Sequence, residues 1–177
     1  MPYTGARAAN NTSMKNRWKP SVTVAAVIEK NGQFLLVEEH TPDGLRLNNP
    51  AGHLEPGESL VEACVREVLE ETTYSFTPTA LLGVYMSRIR RAGQNGAEDR
   101  DITYLRFTFC GKVGAPDTTR RLDHGIVRTH WMTAAQIQQH TPRHRTPLLQ
   151  RGLNDYLAGR RFPLDLADTD ASVYQSL

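Results

Sequence analysis

The sequence predicts a layered α/β domain. Three observations carry this: short β-branched apolar runs bounded by turn residues, helical segments with clear start signals interleaved among them, and a length of 177 residues that suits one domain. Ser21 to Ile28 is the first strand, β-branched and apolar enough to be buried. Asn31-Gly32 marks a hairpin turn, and Phe34 to Val37 is the returning strand. Thr41 to Gly57, rich in Pro, Gly and Asn, is expected to be loop. Ser59 to Thr72 lacks Gly and Pro and is expected to be helical.

Leu81 to Ser87 makes a further strand, and Arg90 to Arg100, with two glycines and several charges, a mobile loop. Ile102 to Cys110 is a strand with Leu105, Phe107 and Phe109 on one face. Val113 to Arg121 is loop, and Ile126 to Trp131 a short last strand. Thr133 with Gln136 three residues on forms a capping box and opens a helix. Thr146 opens another as N-cap, with Pro147 at the first helical position and Gly159 just past the end. Leu149, Leu153, Tyr156 and Leu157 are its expected buried stripe.

Formal net charge is +2, and the first twenty residues carry Arg7, Lys15, Arg17 and Lys19 with no acid, so the remainder is near −2. That basic excess is too small to point to nucleic acid. Residues 1–17 form a polar tail expected to be disordered, with Met14 as an alternative start. Residues 166–177 are expected to be a C-terminal tail. No run of 18 apolar residues or apolar leader is present, so the expectation is a cytoplasmic protein that binds no membrane. The two cysteines, Cys64 and Cys110, have no metal-ligand spacing and are expected to be buried thiols in a reducing compartment.

The chemistry concentrates in Gly52-His53-Leu54-Glu55-Pro56-Gly57-Glu58 and Arg66-Glu67-Val68-Leu69-Glu70-Glu71. On a helix, Glu67, Glu70 and Glu71 fall within an arc of roughly 100°, so their carboxylates are neighbours. Val61, Val65, Val68, Leu69 and Thr72 lie opposite and are expected to be the buried face. Arg66 can pair with Glu62 or Glu70 but cannot neutralise all three acids. A hard divalent cation could, since carboxylate oxygens are its preferred ligands; a solvated acidic face is the alternative. The glycine loop ahead of the helix adds backbone that can approach a ligand closely.

Gly52, five residues, Glu58, seven residues, then Arg66-Glu67-Val68-Leu69-Glu70-Glu71 resembles the Nudix box, G-x5-E-x7-R-E-U-x-E-E-x-G-U, where U is apolar. One position departs: Thr73 stands where the box has Gly, and Thr73 is expected to keep a negative φ as the helix runs on through Thr72 or Thr73. The resemblance spans residues 18–165 and implies an α/β/α sandwich around a mixed β-sheet. It implies Mg²⁺, or Mn²⁺, held by Glu67, Glu70, Glu71 and the carbonyl of Gly52. Glu67 would orient or deprotonate water, Arg66 would hold Glu67 in place, and Glu58 would lie near the metals. His53 is a candidate phosphate contact, as are Arg88, Arg90 and Arg91 beside the variable loop; Glu98, Asp99 and Asp101 are candidates for an extra acid.

The box specifies a reaction but not a leaving group. The proline spacing of ADP-ribose enzymes is missing, Pro78 being too near, and the tyrosine spacing of dinucleoside-polyphosphate enzymes is not evident. Trp18 to Val27, Asn49 to Glu55, Leu60 to Ala63, Arg145 to Leu148 and Gly159 to Leu164 are similar to a bacterial branch of phosphatases. Those act on nucleoside di- and triphosphates and on hydroxymethylpyrimidine pyrophosphate, the thiamine pyrimidine. The partner implied is a small phosphorylated substrate, and the protein a monomer or homodimer. The competing readings are a pyrophosphohydrolase for ADP-ribose or a dinucleoside polyphosphate, a catalytically silent ligand-binding domain of Nudix type, and a nucleic-acid binder acting through residues 1–20.

Overall fold

The computed structural model describes residues 17–93 and 99–175. Of the tail expected over residues 1–17 all but Arg17 lies outside the described residues, Met14 included, and so does Glu98. Strand β1 (Ser21–Lys30) turns at Asn31 and Gly32, both at positive φ (53° and 78°), into β2 (Gln33–Thr41). Two left-handed residues are what a two-residue hairpin between right-twisted strands demands.

The expected loop from Thr41 to Gly57 contains two strands, β3 (Gly44–Asn48) and β4 (Ala51–His53). Their composition reads as loop, but backbone pairing with β2 and β1 makes them strands. Helix α1 (Leu60–Thr72) follows, then β5 (Tyr74–Arg91) and β6 (Arg100–Pro116). Both outrun expectation. Arg90 pairs with Asp101 and Arg91 with Arg100, so half of the described part of the expected mobile loop is ribbon, and Val113 to Pro116 is strand too. β7 (Ile126–Thr133), α2 (Ala134–Gln139) and α3 (Leu148–Leu157) complete the set.

The seven strands form one mixed sheet in the order β3-β2-β1-β6-β5, with β4 on β1 and β7 on β2. Only β1 and β6 run parallel among these pairs. One core lies on the α1 side (Val24, Ala26, Ile28, Ala63, Cys64, Val68, Phe109). The other lies under α2 and α3 (Val27, Phe34, Leu36, Ile137, Leu149, Leu153). Alternate residues of β1 thus feed opposite faces, which gives the α/β/α sandwich. Cys64 and Cys110 are free and buried. Among the described residues no helix is long and apolar enough to cross a membrane.

Three local expectations are corrected. Thr73 sits in the left-handed region at φ 64°, ending α1 at Thr72. Its N–H bonds to the Leu69 carbonyl, and its carbonyl accepts from Asp117 N–H at 2.8 Å. The chain must turn at once into β5, so tertiary pairing imposes a conformation that a β-branched residue resists. Second, the buried face of α1 is Ala63, Cys64, Val68, Glu71 and Thr72, while Val61, Val65 and Leu69 stay half-exposed. The helix is turned so that the Glu71 edge meets the glycine loop. Third, α3 buries Leu148, Leu149, Gly152 and Leu153, whereas Leu157 is 59% exposed. About 80° separates Leu157 from Leu149 around the helix, which carries it off the sheet. The α2 capping box forms as expected, and Thr146 Oγ accepts from the α3 Leu148 N–H, with Pro147 one position before the helix.

Candidate active site

β1 and β2 pair only at their hairpin end, through Glu29–Phe34 and Lys30–Gln33. Beyond it β1 pairs with β4 and β6, and β2 with β3 and β7, so the sheet forks. A cleft of about 610 Å³ opens in the fork. Thr23, Tyr104 and Arg106 line it from one arm and Glu39 and Asn48 from the other, with Gly52, Glu67 and Glu71 between.

Ser59 caps α1 through a capping box with Glu62, fixing the point at which the loop becomes helix. Arg66 then ties the two together. Its Nε and Nη2 donate to the two oxygens of Glu58 at 3.0 and 2.7 Å, and Nη2 also donates to the His53 carbonyl at 2.9 Å. Nη1 reaches Glu67 at 2.8 Å and Glu70 at 3.1 Å. One guanidinium therefore holds Glu58, Glu67, Glu70 and the loop backbone. Its bond pulls the Glu58 carboxyl below the usual carboxylate range.

Among the described residues Glu71 has no cationic partner in contact. Its Oε2 accepts from the Ala51 N–H at 2.8 Å. Burial pushes its pKa up to about 8, against the pull of that N–H and with help from the charges of Glu67 and Asp123. Burial also raises Glu67, against Arg66. Gly52 is needed beside them, because a Cβ there would stand 2.0 Å from Glu67 Cδ.

As the side chains lie, Arg66 bridges Glu67 and Glu70 while Glu71 turns to Ala51, and among the described residues no three acidic, His or Cys groups gather at metal-ligating distance. The donor set nonetheless fits a divalent cation. Two largely desolvated carboxylates meet a bare glycine backbone, an oxygen donor set of the kind a hard divalent cation prefers.

His53 lines the cleft and tilts against Tyr104, ring centroids 6.3 Å apart. Arg88 does not line it. Ser87 and Ile89 do, and the alternation of β5 sends Arg88 to the other face, where Asp101 takes its guanidinium at 2.6 Å. Asp101 also binds Arg90, and Arg91 pairs with Asp43. Glu39, Asn48, Arg106 and Asp123 were missing from the sequence expectations. Arg106 left a trace: it is the basic residue between Leu105 and Phe107 in an apolar strand.

A glycine loop locked by Arg66 to a helix that presents Glu67, Glu70 and Glu71 is the box motif folded as a unit. The NUDIX domain model matches residues 17–150 of this sequence. The chain belongs to the Nudix hydrolase family. It is 37% identical over 149 residues to the phosphatase NudJ of Escherichia coli strain K12, covering 84% of this chain and 91% of the relative. The structure of a NUDIX hydrolase from Nitrosomonas europaea is 51% identical, with TM-score 0.75 over 86% of this chain and 98% of that one. A MutT NUDIX hydrolase from Burkholderia pseudomallei, 18% identical with TM-score 0.57, covers 78% of this chain and 98% of its own and shares the Nudix fold.

Proposed function

We propose that this Nudix domain uses Mg²⁺, with Mn²⁺ as a substitute, to hydrolyse phosphoanhydride bonds in small diphosphates and triphosphates. The substrates are nucleoside di- and triphosphates and hydroxymethylpyrimidine pyrophosphate, and the product is inorganic phosphate. The observation that carries this reading is the pair of desolvated carboxylates, Glu67 and Glu71, set against the Gly52 backbone at one cleft. The relative from Escherichia coli, named a phosphatase, supports the same chemistry.

In this reading Glu67, Glu70, Glu71 and the Gly52 carbonyl hold the metal. A divalent ion held there would supply Lewis acidity, making water easier to deprotonate and offsetting charge on the phosphate. Glu67 orients the attacking water and accepts its proton. Arg66 is a positioning residue: it fixes Glu67 and is itself fixed by Glu58. His53 stands at the cleft for the phosphate chain. Two buried, unpaired thiols suit a reducing compartment and hence the cytoplasm.

The test is phosphate release from a panel of nucleotides and thiamine-pathway diphosphates, with Mg²⁺ and with chelator. Metal-dependent release that Glu67→Gln abolishes is expected. Wild-type protein that binds such compounds but releases no phosphate would instead support a silent ligand-binding domain.

A further inference from the structure

Arg106 stands in the middle of β6 with 8% of its surface exposed, and it lines the same cleft as Gly52, Glu67 and Glu71. Among the described residues its Nη1 is buried without a hydrogen-bond partner. Its Nε lies 3.5 Å from Thr23 Oγ, at the outer limit for a bond, and among the described residues it makes no ion pair. The other arginines near the cleft are engaged: Arg66 by three glutamates, Arg88 by Asp101, and Arg145 by Glu39.

A buried guanidinium without an anionic partner is costly, because the ion has lost its hydration. Burial accordingly lowers the pKa of Arg106, and the charge of Glu71 only partly restores it. Arg106 and Glu71 therefore feel each other across the cleft without touching. Such a cation is compensated when an anion enters.

The register says where. Arg106 pairs with Thr23 of β1, and Thr23 with His53 of β4, next to Gly52. Two strand spacings, roughly 9.5 Å, separate the Arg106 backbone from the loop that faces the carboxylates. An anion between them lies within reach of both.

We infer that Arg106 is the phosphate-binding residue of this cleft, donating to the oxygens of the substrate's phosphate chain from the side opposite the glutamate helix. The planar guanidinium, with donors in a fixed fork, matches a phosphate in a way that an ammonium group does not. The inference rests on the Nudix hydrolase reading above and assigns the phosphate-recognition role to Arg106 in place of Arg88.

The experiment uses inorganic pyrophosphate as the probe, in Mg²⁺ buffer, on wild type, Arg106→Met and Arg106→Lys. Melting temperature is followed against pyrophosphate concentration, and kcat and KM are measured on a nucleoside triphosphate. Pyrophosphate should raise the wild-type melting temperature. Arg106→Met should melt no lower than wild type without ligand, because it removes an uncompensated charge. It should need at least tenfold more pyrophosphate for the same shift and show a KM raised tenfold or more, with Arg106→Lys in between.

Two results would overturn the inference: a wild type that pyrophosphate does not shift, or an Arg106→Met variant shifted like wild type, whether its ligand-free melting temperature is kept or lowered. A lowered one would make Arg106 a structural counter-charge for Glu71. If Arg106→Met does not fold, Arg106→Gln carries the same comparison, and loss of the fold in both also overturns it. The pyrophosphate shift does not depend on turnover, so a wild type that binds the probe but releases no phosphate would count against the hydrolase reading and not against Arg106.

Discussion

Gly52→Ala should separate activity from stability. The glycine does not occupy the left-handed region, so its backbone accepts an alanine. The obstacle is the Glu67 carboxylate, whose carbon and two oxygens would lie 2.0 to 2.1 Å from the new Cβ, where ordinary contact begins at about 3.4 Å. The carboxylate must retreat by roughly 1.4 Å. It is the far end of a flexible side chain, so the retreat costs a rotamer change and part of its bond to Arg66, about 1 kcal/mol. That corresponds to a fall in melting temperature of about 2–4 °C for a domain of this size. The effect on catalysis is far larger, because a catalytic group displaced by about 1 Å loses on the order of 100-fold in rate. Steady-state phosphate release and a thermal melt on the same preparation measure both. Wild-type kcat in Gly52→Ala would refute the role of Glu67, and a fall in melting temperature beyond about 10 °C would refute the claim that the clash is confined to a side-chain end.

Thr73→Gly should stabilise the protein by about 0.5–1 kcal/mol, since left-handed strain of about 1–2 kcal/mol is relieved against a glycine entropy cost of about 0.4–1 kcal/mol; an unchanged or lower urea midpoint would count against it. Glu67→Gln and Glu71→Gln should each cut turnover at least 100-fold with the fold intact, and two active variants would remove the metal-site assignment. The pKa of Glu71 is raised in the fold to about 8, so the metal-free protein binds more protons than its unfolded chain between about pH 4.5 and 8 and should lose stability as pH rises through that window; Glu71→Gln should flatten this loss in denaturant melts. Glu38 is the opposite case: burial would raise its pKa, but bonds from Arg128, His130 and Arg143 hold it down to about 2. Its contribution, about 2–3 kcal/mol after allowing for the exposed arginines, is present above about pH 4.5 and lost as pH falls toward 2. Glu38→Gln should therefore cost stability at pH 7 and little at pH 2.5, and an equal cost at both would contradict the pairing.

Much of this protein is local in origin and therefore legible in its sequence. The Asn31-Gly32 turn, the Thr133–Gln136 capping box and the acidic arc of α1 each depend on residues within a few positions of one another, so spacing alone determines them. The box spacing determined which loop and helix would carry the chemistry. What the tertiary structure decided depends on partners far along the chain. β3 and β4 are strands because β2 and β1 lend them hydrogen bonds. Thr73 is left-handed because β5 must begin at the next residue with Asp117 holding its carbonyl. The roll of α1 that buries Glu71 and leaves Val65 and Leu69 half-exposed is fixed by the glycine loop, which a helical wheel does not contain. Arg88 and Arg106 are both basic residues on strands, and strand periodicity tells which residues share a face but not which face meets the cleft. That face is set by the fork between β1 and β2, and it turns Arg88 toward Asp101 and brings Arg106, more than thirty residues beyond the box, to the wall of the site.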